Sequence, residues 1–314
     1  MFKFFKWLIG LRERKIQEIG MDKAAEPGGI EVDVRPRQED TGRDPITVRG
    51  KHWPNTSEER WSIPQRPGTA DFSSVESLMR GLGKLNLVEV RRSSAEGLGC
   101  LGADARQAIP ALLQAAVDSD RKVREAAFNA LKAIDPNWTK NPDALKAVPI
   151  LIEALKSSSA GVSPMASKLL TLIGPPAVPQ LAQALTTLQN SAGQVFVIRI
   201  LSQIGPSAAE AIPELNRALG SSIMQARLAA ARALTKIGPD AESSLPALIY
   251  GLSDQYADVR EAMACCLASL GEAAEPAIPA LLNLLPDRDP KVREAAETAL
   301  EHIGPKAVPA LMEV

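Results

Sequence analysis

Aromatic residues are scarce, at 4% of 314, and that argues against a β-rich core, whose pleated faces favour large rings. Only two histidines occur, His52 and His302, too few for a multi-histidine metal centre. The three cysteines, Cys100, Cys265 and Cys266, make no disulfide framework, and adjacent cysteines in a helix rarely bridge each other. They read as small apolar fillers in a reducing compartment. No run approaches the ~20 apolar residues of a membrane-spanning helix. Trp7–Leu11 is too short for a secretory segment before Arg12, Arg14 and Lys15 interrupt it. A cytoplasmic location is therefore expected. The formal net charge of −1 gives no global attraction to nucleic acid or to an acidic substrate. No glycine-rich phosphate loop follows a strand, and no nucleophile–base signature is present. The sequence thus predicts no catalytic residue, no cofactor and no metal.

What the chain does have is repetition. In Ala277–Gly304, Pro279 sits just inside one helical pattern that carries Leu281, Leu282 and Leu285. A polar turn, Asp287–Pro290, leads to a second pattern with Val292, Ala295, Ala296, Ala299, Leu300 and Ile303 on one helical face, closed by Gly304-Pro305. Proline near a helix start and glycine just past an end are the expected punctuation. Upstream, Gly102, Gly174, Gly205, Gly238 and Gly271 occupy the same closing place, and Asp135 takes it once. The opening prolines, Pro110, Pro149, Pro179, Pro213, Pro246, Pro279 and Pro309, are 30–39 residues apart. Seven helix-turn-helix units are predicted between residues 72 and 304, with an eighth begun at Val308. An eleven-residue insertion, Pro136–Lys146, separates the second from the third. Helices of about ten residues are marginal alone in water, so each unit must lay its apolar face on its neighbours.

The recurring Ile/Val-Pro-x-Leu, Val-Arg-x-x-Ala and Ala-Leu-x-x-Ile-Gly resemble HEAT repeats, and most nearly the short phycobilisome-lyase-like type. Val123-Arg124-Glu125-Ala126-Ala127, Val259-Arg260-Glu261-Ala262 and Val292-Arg293-Glu294-Ala295-Ala296 carry the resemblance. Unit four departs from it, with Gly193-Gln194 in the Val-Arg place. The resemblance implies an all-α, right-handed α-solenoid over residues 71–314, its second helices lining a concave surface suited to a protein partner. It also implies an alternative, a bilin lyase-type subunit acting on phycobiliproteins, although nothing in the sequence marks a bilin pocket. One HEAT-like family hydroxylates a modified lysine with His-Glu pairs around two irons; two histidines cannot build that site.

Two further segments precede the array. Residues 1–20 predict an amphipathic helix with Phe2, Phe4, Phe5, Trp7, Leu8 and Ile9 among its apolar residues and Lys3 and Lys6 opposite. Such a segment suits the lipid–headgroup boundary, which would make the protein peripheral at the inner face of a membrane; capping the array is the other reading. Residues 21–70, rich in Pro, Gly and charge, predict a disordered linker.

Arg91, Arg124, Arg227, Arg260 and Arg293 recur one residue after the Val position, and Asp118, Asp254 and Asp287 five residues before it. Read one way this is a cationic ladder for phosphate. Read the other, the two sets neutralise each other within and between units, and this second reading is the expectation. Charges on the exposed face of the second helices alternate in sign without an aromatic platform, which disfavours nucleic acid. The middle units offer Val195, Ile198, Arg199, Leu228 and Arg232, predicted as a surface for an unidentified protein partner.

Overall fold

The computed structural model describes residues 74–159, 161–189 and 191–312. The predicted linker and amphipathic helix, with Phe2, Phe4, Phe5, Trp7, Leu8 and Ile9, lie outside them. Every described element is helical. First helices are short: α1 (Val75–Gly81), α3 (Ile109–Ala115), α5 (Val148–Ala154), α7 (Val178–Thr187), α9 (Ile212–Leu219), α11 (Leu245–Gly251), α13 (Ile278–Leu282) and α15 (Val308–Met312). Second helices are longer: α2 (Val88–Leu101), α4 (Arg121–Ile134), α6 (Val162–Ile173), α8 (Ala192–Ile204), α10 (Met224–Ile237), α12 (Ala257–Leu270) and α14 (Pro290–Ile303). The units stack into an α-solenoid, and one hydrophobic core runs from Leu78 to Leu311.

The punctuation works as its chemistry requires. Each first helix from α3 to α13 has proline in its first turn, where no intrahelical N–H is missed. The closing glycines hold positive φ, as at Gly238 (φ 85°, ψ −142°), a region open essentially to glycine. Asp135 cannot enter it and leaves helix α4 extended instead, at φ −152°. The chain consequently takes a different course at that one place, and the insertion follows. Trp138 from the insertion is buried, 3% exposed, against both α4 and α6, whose own backbones scarcely approach each other. Lys132 and Lys168 each set an ammonium over the Phe128 ring, at 4.5 and 4.6 Å, bridging the same seam by cation–π attraction.

Sequence periodicity missed a 3-10 segment between each closer and the next first helix, for example Gly205–Ala211 and Gly271–Ala277. Its signal is alanine at a spacing of three, Ala105/Ala108, Ala208/Ala211 and Ala274/Ala277, all 0% exposed. Three residues per turn place these alanines on one side, and a side chain that small lets the segment pass close to its neighbours. Because the 3-10 segments join one helix to the next, Ala192–Leu219 and Ala257–Leu282 reach the length and apolarity of a membrane span, contrary to the expectation from runs of apolar residues. Each stretch is broken by a positive-φ glycine, Gly205 or Gly271, and its apolar residues belong to the array core.

The arginines and aspartates stitch the units together. Arg91 grips Asp118 through two bonds of 2.8 and 2.9 Å, Arg227 grips Asp254 at 2.6 and 3.0 Å, and Arg260 grips Asp287 at 2.8 and 2.9 Å. Each pair joins one unit to the next. Within a unit the arginine turns to carbonyls rather than to the carboxylate, as Arg260 Nη1 donates to the Asp254 carbonyl at 2.8 Å. Elsewhere the stitch changes chemistry. Arg124 lies against Gly161, where an added Cβ would fall 2.6 Å from its Nη2. In the departing fourth unit, Gln194 Oε1 accepts from Ser221 Oγ at 3.3 Å, an uncharged copy of the same link.

Replacing Gly238 by Ala meets no neighbouring atom, so its cost is conformational alone, about 1–3 kcal/mol. Gly220, at φ −93°, should accept Ala with little loss; urea unfolding of both variants checks the contrast. Burial acts to raise the Asp118 carboxyl, but the Arg91 guanidinium and the Asp120 amide outweigh it and hold its pKa below the ordinary value. Its stabilisation is therefore complete above the unfolded value of about 3.9 and is lost as pH falls through the lowered one. Asp118→Asn should melt below the wild type at neutral pH, and that gap should close as the pH drops under about 4.

Candidate functional site

The second helices present one side to the core and one to solvent, and positions ten, six and three residues before each closer share the outer side. In the first two units this face is mixed in charge. Arg92 meets Glu96 at 3.5 Å and Arg121 meets Glu125 at 2.7 Å. A depression of about 600 Å³ lies there, lined by Arg92, Glu96, Cys100, Lys122, Glu125 and Asn129. The last two units are acidic, with Glu261, Glu294 and Glu301 at the outer positions.

The middle differs. Helices α6, α8 and α10 contain no Asp or Glu. Lys168, Arg199 and Arg232 occupy the same place in three consecutive units, six residues before Gly174, Gly205 and Gly238, and all are exposed. None of the three has a carboxylate within ion-pair distance among the described residues. One turn earlier on the helices, Val195 and Leu228 are half-buried. Thr171 Oγ1 donates to Gln203 Oε1 at 2.9 Å and ties α6 to α8.

Four of the five residues predicted for partner contact are therefore brought to one surface, Val195, Arg199, Leu228 and Arg232. Ile198 is not. It is 0% exposed, because α8 buries Val197, Ile198, Ile200 and Leu201 and its apolar side is wider than the stripe read from spacing. Lys168 joins this surface as well, and its alignment with Arg199 and Arg232 on the closing glycines is visible in the sequence.

The cysteines also differ from expectation: Cys266 is buried, whereas Cys100 and Cys265 are exposed. Burial pushes the Cys266 thiol up to about 11. Burial first, then Glu261, raises that of Cys265. Both are protonated at neutral pH and are poor nucleophiles. His302 places Nδ1 3.0 Å from the Ala268 carbonyl, so it donates across the last inter-unit seam. Among the described residues no three metal-ligating side chains cluster.

Comparison with known proteins follows this geometry. The profile of HEAT repeats matches residues 78–163, 178–268 and 245–314. No curated protein matches the chain. Among solved structures, the karyopherin Kap121p bound to Nup53p is similar at 16% identity and a TM-score of 0.54, over 76% of this chain and 30% of that one. Kap121p bound to the extreme C-terminus of the protein phosphatase Cdc14p gives 18% and 0.52, over 74% and 30%. The complex of CpcE and CpcF of phycocyanin lyase from Nostoc sp. PCC7120 shares 24% identity over 49% of this chain and 98% of that one, with a TM-score of 0.41. At such identities the likeness shows the fold alone. Matched over well more than half of its residues and built of stacked helical pairs, the chain belongs to the HEAT-repeat family.

Proposed function

We propose that this protein is a non-catalytic scaffold or adaptor that binds a partner protein on the concave face of the solenoid, along the solvent-facing side of its second helices and centred on α6, α8 and α10. The observation that supports this most is the run of half-buried Val195 and Leu228 beside exposed Arg199 and Arg232, which have no ion-pair partner among the described residues. Apolar surface ringed by unengaged polar groups is the usual make-up of a contact patch. Solved HEAT solenoids of similar fold hold protein segments, Nup53p and the Cdc14p C-terminus, and related arrays turn their second helices inward. The alternative, a lyase-type subunit acting on phycobiliproteins, draws on family resemblance, and no residue constellation on this face favours it.

In the same reading, residues 1–20 tether the scaffold to the cytoplasmic surface of a membrane through their aromatic and cationic side chains. Flotation on anionic liposomes, with and without residues 1–20, should separate the two forms; equal flotation rejects the tether.

A photo-crosslinking residue placed at position 195 or 228, in the native cell, should yield a discrete protein adduct. The same residue at Tyr250, exposed on first helix α11, should not. Val195→Glu with Leu228→Glu should abolish partner recovery while circular dichroism stays unchanged. Adducts from position 250 alone, or undiminished recovery, would move the contact to another face.

A further inference from the structure

The charge on this face is not evenly shared, and the imbalance specifies a partner chemistry. The whole chain is nearly neutral, with 36 Lys and Arg against 37 Asp and Glu, yet three successive second helices carry no carboxylate at all. Other arginines on the second helices are engaged, Arg91, Arg227 and Arg260 in inter-unit stitches and Arg92 and Arg121 with glutamates on their own helices. Lys168, Arg199 and Arg232, one per unit, are exposed, Lys168 with its ammonium over the Phe128 ring, and none of the three has an ion-pair partner among the described residues. Glu125 in the unit before, paired with Arg121 and accompanied by Lys132, and Glu261 and Glu294 in the units after place carboxylates at the margins of the window.

We infer that this window recognises an acidic, partly apolar segment of the partner protein, its carboxylates meeting Lys168, Arg199 and Arg232 and its apolar side chains meeting Val195 and Leu228. This rests on the reading of the second-helix face as the partner surface. Helix packing distances of 8–10 Å per unit put Lys168 and Arg232 about 16–20 Å apart. At ~3.3 Å per residue that is about five or six residues of extended chain, so a short acidic stretch spans all three cations. Glutamates at the margins would repel a longer acidic run, which sets the register of the bound segment by exclusion as well as attraction. The chain's own first twenty residues do not fit, because Lys3, Lys6, Arg12, Arg14 and Lys15 outnumber Glu13 and Glu18.

The test uses the full chain and three fluorescent probes: a peptide of glutamates interleaved with leucines, its lysine counterpart, and an oligothymidylate of equal charge to the acidic peptide. Fluorescence anisotropy should show saturable binding of the acidic peptide, weakened by salt, and none of the lysine peptide. Lys168→Glu, Arg199→Glu and Arg232→Glu together should raise its Kd by roughly tenfold or more, since each reversal replaces an attraction with a repulsion. Lys140→Glu, Arg288→Glu and Lys291→Glu make the same change in net charge at other exposed sites and should leave the affinity nearly unaltered. Failure of the acidic peptide to bind, equal losses in both triple variants, or oligothymidylate binding as tightly as the peptide would each overturn the inference. If the Val195→Glu/Leu228→Glu variant loses partner recovery while the Lys168/Arg199/Arg232 triple variant keeps it, the acidic chemistry alone is wrong. If both keep it, the face itself is wrong.

Discussion

A helix of seven residues has too few internal hydrogen bonds to persist in water, and most first helices of this chain are about that short. Their apolar sides must therefore be covered by the units before and after them, and that obligation shapes everything else. It explains why alanine lines the 3-10 segments, where the chain passes closest to its neighbours. It explains why the core is one continuous strip from Leu78 to Leu311 rather than several separate clusters. It also leaves much of the outer side of the second helices exposed, with Lys168, Arg199 and Arg232 among the exposed residues.

Coverage by apolar surface is non-directional, so something else must fix how one unit sits on the next. The bidentate pairs Arg91–Asp118, Arg227–Asp254 and Arg260–Asp287 supply that direction. Each guanidinium holds its own turn through a carbonyl and reaches forward to the next carboxylate, which itself accepts from a backbone amide in its turn, as Asp287 does from Asp289. With the guanidinium bonded both to the carboxylate and to a backbone carbonyl, burial of these charges is tolerable. The middle of the array does without them. Arg124 rests on Gly161, Ser163 donates to the Leu155 carbonyl at 3.2 Å, and Gln194 meets Ser221. The units that lack charged stitches are largely those whose outer face lacks carboxylates, so the centre of the array is distinct on both its seams and its surface.

The interruption at the second unit begins at one residue. Where six other units close on glycine, Asp135 keeps α4 from turning in the usual way, and Trp138 fills the space between α4 and α6. Phe128, held between two ammonium groups, spans the same seam from the outer side. The insertion thus replaces ordinary helix-on-helix packing with an aromatic wedge.

Units, closers and opening prolines were legible in the sequence because they depend on local rules: a 3.6-residue period, a backbone region reserved for glycine, and a ring without an N–H. The reciprocal placement of Arg and Asp could be anticipated from spacing, since a fixed repeat length carries a fixed displacement. What the sequence alone did not decide was which side of α8 is covered. Ile198 lies within reach of the outer stripe on a helical projection, yet neighbours on both flanks enclose it, and only the stacked array determines how wide each buried side becomes. The same holds for Lys168, Arg199 and Arg232. Their types are plain in the sequence, but the lack of a carboxylate beside them among the described residues depends on which side chains the stacking brings near them.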